Sequence, residues 1–459
     1  MSRIVIVGGG IVGLSTAMML VERGHDVVVC ERDPHPVPGS AEEAWETWER
    51  RGVAQFRQPH YLHPGGREIL DERLPDVKES LLAAGAITMD TLGQLPPMIT
   101  DREPRVGDER FITVTARRPI IEYAVARVAD KLVDVRRGVG VAGLTSRDGT
   151  AVPHVTGVRL DAGETLPADL VIDAMGRRSV LPEWLTQIGA RAPYEDAEDC
   201  GFTYYTRYFR GSRPQIVSGG LTPYESFSIL TLYGDAETWS VTVFISSRDT
   251  VLKSLREAER WNAVVAACPL QAHWLQGEVT TEVEAMAGII DRSRRLVVDG
   301  SPVATGVVAV GDAYACTNPS LGRGITMGLI HAAATADVAG VGDAQEVART
   351  HDAVTQERLM PWYRDSVLLD RARLAEVDAA IDGRPAPPPD PSPRFGLMRA
   401  MLWDAELFRG FLEITGLLAT PEEVRARAGF VERIAAVNAA HEPFAMPGPS
   451  REELVRIAT

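Results

Sequence analysis

Three glycines, Gly8, Gly10 and Gly13, followed by an acid at Glu31 have the types and spacing to hold a dinucleotide. The first glycine permits a tight turn, the second lets a pyrophosphate approach the backbone, and the third lets a helix pack closely on the preceding strand. The helix that starts at Ile11 and Val12 turns unpaired N–H groups and the positive end of its dipole toward the phosphates. Glu31 falls about 20 residues beyond the glycines, where a carboxylate accepts a ribose 2′-hydroxyl and repels a 2′-phosphate. That favours FAD or NAD over NADP.

A second constellation lies far downstream, AVGDAYACTNPSLGRGITMG at 309–328. An apolar strand there ends in Gly311 and Asp312, and a glycine-rich turn carrying Gly322 and Gly324 opens a new helix at Ile325. A plain NAD dehydrogenase has no need of this second site, whereas a flavin dinucleotide does. Asp312 offers an acceptor to ribitol hydroxyls, and the N–H groups opening the helix 324–339 can stabilise the negative charge of a reduced isoalloxazine.

The elements that must position these groups follow from periodicity. Runs 4–7, 27–30, 169–172 and 307–310 are short and apolar, as in parallel strands buried on both faces. Helical patterns occupy 64–74 and 76–84, and 119–131 reads as a helix with proline in its first turn. Residues 111–115 alternate like a strand, and 132–160 read as strands ending in a hairpin. Segment 34–63 is polar and aperiodic, too long for a plain connection. Between 200 and 246 the stretches GFTYYTRYFR, SFSILTLYG and TWSVTVFISS alternate, which predicts half-buried antiparallel strands. Beyond 343 the pattern is helical, broken by the stiff spacer GRPAPPPDPSP at 383–393.

At 459 residues the chain is long enough for two or three structural units. A net charge of −15 gives nucleic acid and anionic membranes no electrostatic reason to bind. Cys30, Cys200, Cys268 and Cys316 are widely spaced, so neither a disulfide framework nor a thiolate zinc site is indicated. With no signal peptide and no long apolar run, a cytoplasmic protein without membrane insertion is expected.

The motifs GGGIVG with Glu31, RRPIIEYAV, ADLVIDAMGRRS and GDAYACTNPSLGRGITMG resemble those of flavoprotein monooxygenases of the para-hydroxybenzoate hydroxylase type. The branch containing polyether epoxidases and squalene-epoxidase-like enzymes is the most similar, and the resemblance spans roughly residues 1–340. It implies an α/β fold: a Rossmann-like FAD domain of the glutathione-reductase type over 1–75, 105–180 and 291–340. An inserted antiparallel-sheet substrate domain would take 76–104 and 181–290, and a helical C-terminal region 341–459. The cofactor contacts implied are Gly8, Gly10, Ile11, Val12, Gly13, Glu31, Arg32, Arg118, Gly311, Asp312, Gly322, Gly324 and Ile325. Arg118, with Ile121 and Glu122, fits the spacing of the family's pyrophosphate arginine better than Arg117 does. The activity implied is hydroxylation or epoxidation of a mostly apolar small molecule, in specialised metabolism, through a flavin C4a-hydroperoxide formed with dioxygen. Electrons come from NAD(P)H directly or through a flavin reductase. One departure touches that supply: where many hydroxylases have Asp-Gly, this chain reads Asp173, Ala174, Met175, Gly176.

No catalytic acid or base is assigned, and the oligomeric state is open. His60, Tyr204, Tyr205 and Pro319 are candidates to meet substrate. His60 and His63 have a spacing open to a metal, but no cysteine or carboxylate group joins them, so a loop against flavin or substrate is expected instead. Trp45 and Trp48 are expected in surface or lid packing. Two rivals share features with the chain. A flavin-dependent halogenase would resemble its relatives in a WxWxIP segment, absent here, and in a lysine, for which Lys78 is the early candidate. A reductase of the geranylgeranyl reductase type shares the GRGI turn.

Overall fold

The computed structural model describes every residue except 54, 148–150, 218 and 445, so the tip of the hairpin expected within 132–160 lies outside the described residues. Strand β1 (Arg3–Val7) is the middle of a five-stranded parallel sheet, between Leu170–Asp173 and β2 (Asp26–Glu31), with Val307–Ala309 and Asp134–Arg137 on the edges. Ile4 pairs with Val27 on one side and Leu170 on the other, which brings the ends of β1 and Leu170–Asp173 to one line. These strands are unbroken apolar runs because both faces are covered. Helix α1 (Ile11–Glu22), Arg118–Leu132 and Gly324–Val338 cover one face, burying Ile4, Ile6 and Val29 against Leu14, Ala124 and Leu329. On the other, Val5 and Val7 meet Leu144, Val155 and Val158 of an antiparallel sheet built from Val141–Arg147, His154–Leu160 and Thr165–Pro167.

The second large sheet centres on Phe202–Arg210 and Thr238–Ser246, paired antiparallel with Tyr204 opposite Phe244 and Phe209 opposite Trp239. The expectation of half-buried strands is corrected here, since Thr238–Ser246 is buried along its whole length. Each face has its own core. Tyr205, Phe209 and Trp239 pack with Trp261 and Val265 of helix Ala258–Ala266 and with Leu454 of the final helix, Arg451–Ala458. Phe202, Tyr204 and Phe244 pack instead with Met286 and Ile289. Alternation between aromatic sets thus marks two buried faces rather than one face in water.

Trp48 departs from the expected surface or lid packing, whereas Trp45 is half-buried. Trp48 is 4% exposed, edge-on to Phe56, and Trp45 lies under the Arg117 guanidinium and against Tyr208, joining the polar segment to the second sheet. Helices Ala344–Arg358 and Met360–Ile381 lead the C-terminal region, and the proline-rich spacer after them is exposed. No helix among the described residues is long and apolar enough to cross a membrane.

Candidate cofactor and substrate site

The turn after β1 is built on contacts that only glycine allows. Gly8 has φ +113° and its α-carbon faces the Ala174 carbonyl, while a β-carbon on Gly13 would collide with the Gly8 carbonyl oxygen. A β-carbon on Gly10, by contrast, would meet nothing within 4 Å, which leaves open space where a phosphate would approach. Glu31 stands at the end of β2 with one oxygen accepting the Gly9 N–H at 2.9 Å and the other that of Asp33 at 2.8 Å. Arg32 is exposed at the cleft rim.

One arginine in this end escaped the sequence reading. Arg50, from the polar segment, has a side chain 8% exposed and lies 3.0 Å from Glu31, 3.4 Å from Asp33 and 3.3 Å from Glu122. It also donates to the Gly9 carbonyl at 3.1 Å. Nothing in the local pattern of 34–63 announces it, because its partners come from three other segments. Arg177 and Arg178, also lining the cleft, were missed as well.

The adjacent arginines 117 and 118 diverge. Arg117 runs into the second sheet and binds Asp235 at 2.6 Å, whereas Arg118 lines the cleft, bound to Glu122 at 3.0 Å and to His60 Nε2 at 2.9 Å. Since a guanidinium only donates, His60 accepts at Nε2 and donates from Nδ1 to the Gln58 carbonyl at 2.8 Å. Burial, then the neighbouring Arg118 charge, push its pKa down to about 3, so the ring is neutral. His63 likewise spends both nitrogens on protein, 2.8 Å from the Leu321 carbonyl and 3.0 Å from the Tyr61 hydroxyl. It ties the polar segment to the distal turn.

At that turn Val12 of α1 sits against Gly311, whose β-carbon position is 3.0 Å from it, so the two glycine motifs are packed directly together. The Gly311 N–H donates to His331 Nδ1 at 3.1 Å, and His331 Nε2 lies 3.0 Å from Thr355. Asp312, next in the chain, lines the cleft, and its carboxylate accepts no hydrogen bond from the described residues. Burial raises its pKa, opposed by the charges of Arg118, Arg177 and Arg292. A half-buried acceptor that faces the cleft and has no donor among the described residues suits a ribitol hydroxyl. Gly322 has φ +65°, and a β-carbon on Gly324 would again meet open space. Arg323 between them turns away, 2.9 Å from Asp365.

These groups border one continuous cleft of about 720 Å³, within the range of small-molecule sites at roughly 300–1,000 Å³. Gly8, Gly10, Ile11, Val12, Gly13, Glu31, Arg32, Arg118, Asp312, Gly322, Gly324 and Ile325 line it, and Gly311 stands just behind. Met286, Ile289, Cys316, Thr317, Pro319 and His60 line the same cleft. Of the substrate candidates, His60 and Pro319 reach the cleft. Tyr204 lies behind it, donating to the Asn318 side-chain oxygen. Tyr205 is corrected: it points to the far face of its sheet, into the core with Trp261, because neighbours on a strand face opposite ways. Lys78, on helix Pro75–Ala83, is ion-paired to Asp71 of the preceding helix and lies outside the cleft. Asp173 folds back on its own turn, accepting from Met175 N–H at 2.9 Å and from the Ser179 hydroxyl.

Residues 3–48 match the FAD dependent oxidoreductase family. Protein Rv3254 of Mycobacterium tuberculosis is 28% identical over 366 residues, 70% of each chain. The chloroplastic zeaxanthin epoxidase of Spinacia oleracea is 27% identical over 212 residues, which are 44% of this chain and only 28% of the epoxidase. Among solved structures, p-nitrophenol 4-monooxygenase PnpA from Pseudomonas putida DLL-E4 aligns over 92% of this chain and all of its own, with TM-score 0.62 and 16% identity. The flavin-dependent brominase Bmp2 aligns over 95% of this chain and 99% of its own, with TM-score 0.57 and 15% identity.

Proposed function

We propose that this chain, an FAD-dependent oxidoreductase with the fold of the flavoprotein monooxygenases, transfers one oxygen atom of dioxygen to a mostly apolar small molecule, by hydroxylation or epoxidation. The observation that carries the reading is the continuity of the cleft: one cavity runs from the glycine turn and Glu31, past an acceptor at Asp312 without a donor among the described residues, to Met286, Ile289 and Pro319. Bound and reduced, FAD supplies the activation of dioxygen. The protein's part is to place a carbon of the substrate over the ring end and keep water out. Apolar walls serve both purposes. His60 is held neutral with both nitrogens engaged, and Arg118 is paired with Glu122, so neither of these two groups favours an ionic substrate. A place in specialised metabolism rests on the resemblance alone.

Anaerobic photoreduction followed by rapid mixing with oxygen tests the reading. A transient oxygenated-flavin absorbance is expected before reoxidation, and direct return to oxidised flavin would support a reductase instead. Because the brominase shares the fold, bromide and chloride belong in the same experiment, with a halogen-accepting phenol as reporter. With Lys78 outside the cleft, no halogenated product is expected.

For electron supply we favour an external flavin reductase, since the single dinucleotide fingerprint serves FAD and the Asp-Gly pair is replaced at 173–176. Anaerobic mixing with NADH or NADPH should then bleach the flavin slowly. Fast bleaching of the isolated protein by either nucleotide would reverse the preference.

A further inference from the structure

Asp312 can meet a ligand only where the turn that carries it is held, and a buried network behind the cleft does that holding. Gly311 precedes it in the left-handed region, at φ +61°, and packs on Val12. The Val310 N–H donates to the Asp173 carbonyl at 2.9 Å, and the Gly311 N–H donates to His331 Nδ1 at 3.1 Å. His331 belongs to helix Gly324–Val338, and its Nε2 lies 3.0 Å from the Thr355 hydroxyl on helix Ala344–Arg358. That hydroxyl is 2.7 Å from the His351 carbonyl, and the His351 ring is 3.1 Å from the Thr335 hydroxyl. His331, Thr335, His351 and Thr355 are each no more than 4% exposed.

The protons between Gly311 and His351 have one arrangement. A backbone N–H only donates, so His331 Nδ1 is the acceptor and the ring proton sits on Nε2. Nε2–H then donates to Thr355 Oγ1, whose own proton goes to the His351 carbonyl. An imidazolium would set N–H against N–H at Gly311. Burial, then His351, hold the His331 pKa well below the usual histidine range, in keeping with a neutral ring. The Tyr314 ring stands edge-on to it, with centroids 5.4 Å apart. None of His331, Thr355 and His351 lines the cleft, so they act on a ligand only through the elements they hold.

We propose that His331 is a positioning residue for the cofactor: its Nδ1 holds the Gly311–Asp312 turn so that Asp312 faces the ribitol, and its Nε2–H ties that turn to the helical C-terminal region through Thr355. The proposal rests on the FAD reading of the cleft. Without the acceptor the Gly311 N–H is buried and unmatched, a cost the turn escapes only by moving, and Asp312, the next residue, moves with it.

The test compares two side chains that keep opposite halves of the imidazole. Asn carries its oxygen on Cγ, where His carries Nδ1, so H331N keeps an acceptor for the Gly311 N–H and gives up Thr355. Gln reaches the place of Nε2 instead, so H331Q keeps Thr355 and gives up Gly311. FAD dissociation constants of the flavin-stripped full-length proteins are read by flavin fluorescence, beside the melting temperatures of the same apoproteins. H331Q should bind FAD about tenfold more weakly than wild type, as for one lost buried hydrogen bond, and H331N should stay within about threefold of wild type. In the D312A background the H331Q substitution should change the constant by less than about twofold, because the group it positions is gone. A purely structural role would lower the melting temperatures without separating Asn from Gln and without depending on Asp312. H331N as weak as H331Q, or an H331Q loss undiminished in D312A, would therefore overturn the proposal. Should H331Q not fold, T355V carries the test: with no acceptor for Nε2–H the ring proton can move to Nδ1, so FAD should bind about threefold more weakly, and unchanged binding would overturn the proposal. Absence of FAD binding by wild type would overturn the FAD reading and this proposal together, whereas wild-type affinity in folded H331Q would overturn this one alone.

Discussion

The two ends of the cleft are built in opposite ways. The dinucleotide end comes from one local unit, β1, the glycine turn, α1 and β2, with pairing between neighbouring strands. The end proposed to take the flavin ring is lined by side chains far apart in sequence: His60, Met286, Asp312 and Pro319. Local construction specifies a shape in the backbone, which tolerates little substitution. Distant construction specifies it through side-chain hydrogen bonds, which fail one at a time and respond to pH.

Substitutions should therefore break the two ends differently. The largest effect is expected at Gly13→Val, whose side chain collides with the Gly8 carbonyl; the protein should lose flavin and much of its folded yield, read by flavin content and circular dichroism. Gly10→Ala, facing open space, should keep the fold and lose affinity only, and an unfolded Gly10→Ala would blur the contrast. Next comes Arg50→Ala, which leaves Glu31, Asp33 and Glu122 without their shared cation; a loss of about 3 kcal/mol in denaturant unfolding is expected, with weaker FAD binding. Full stability in that variant would show the ion cluster to be incidental.

At the distant end, Asp312→Ala should weaken FAD binding by roughly ten- to a hundredfold, from a charge-assisted hydrogen bond of about 1.5–3 kcal/mol, while unfolding of the apoprotein stays unchanged. An unaltered dissociation constant would remove Asp312 from the site. Near neutral pH the smallest effect concerns His63, whose pKa is lowered to about 3 by burial and the Arg323 charge, and it grows only as the solution is acidified. The unfolded chain, with a histidine pKa near ~6.5, binds the proton that the folded one refuses, so this residue subtracts stability as pH falls from about 6.5 toward 3, by up to ~1.4 kcal/mol per unit. Buried acids with raised pKa, Asp370 among them, act in the opposite sense over the same range. The measurement is thus the difference in melting-temperature slope between wild type and His63→Gln, and equal slopes would show that the ring takes up its proton in the folded state.

What could be read in the sequence follows the same division. The preference for Arg118 over Arg117 comes with the family resemblance, whereas the glycine spacing, Glu31 and the Gly311–Asp312 turn have short-range signatures, and the parallel strands show as apolar runs. Arg50 does not, because an arginine in an aperiodic segment looks the same whether it faces water or three carboxylates. Tyr204 and Tyr205 show the limit of periodicity. Alternation separates them onto opposite faces, but both faces are buried, so the pattern alone does not tell which one turns toward the cleft.

The most direct measurement is the identity and amount of flavin released from the purified, denatured protein. A cleft with both a dinucleotide end and a ring end should release FAD, about one per chain, and Asp312→Ala should release less. FMN in its place, or no flavin after reconstitution with FAD, would contradict the account.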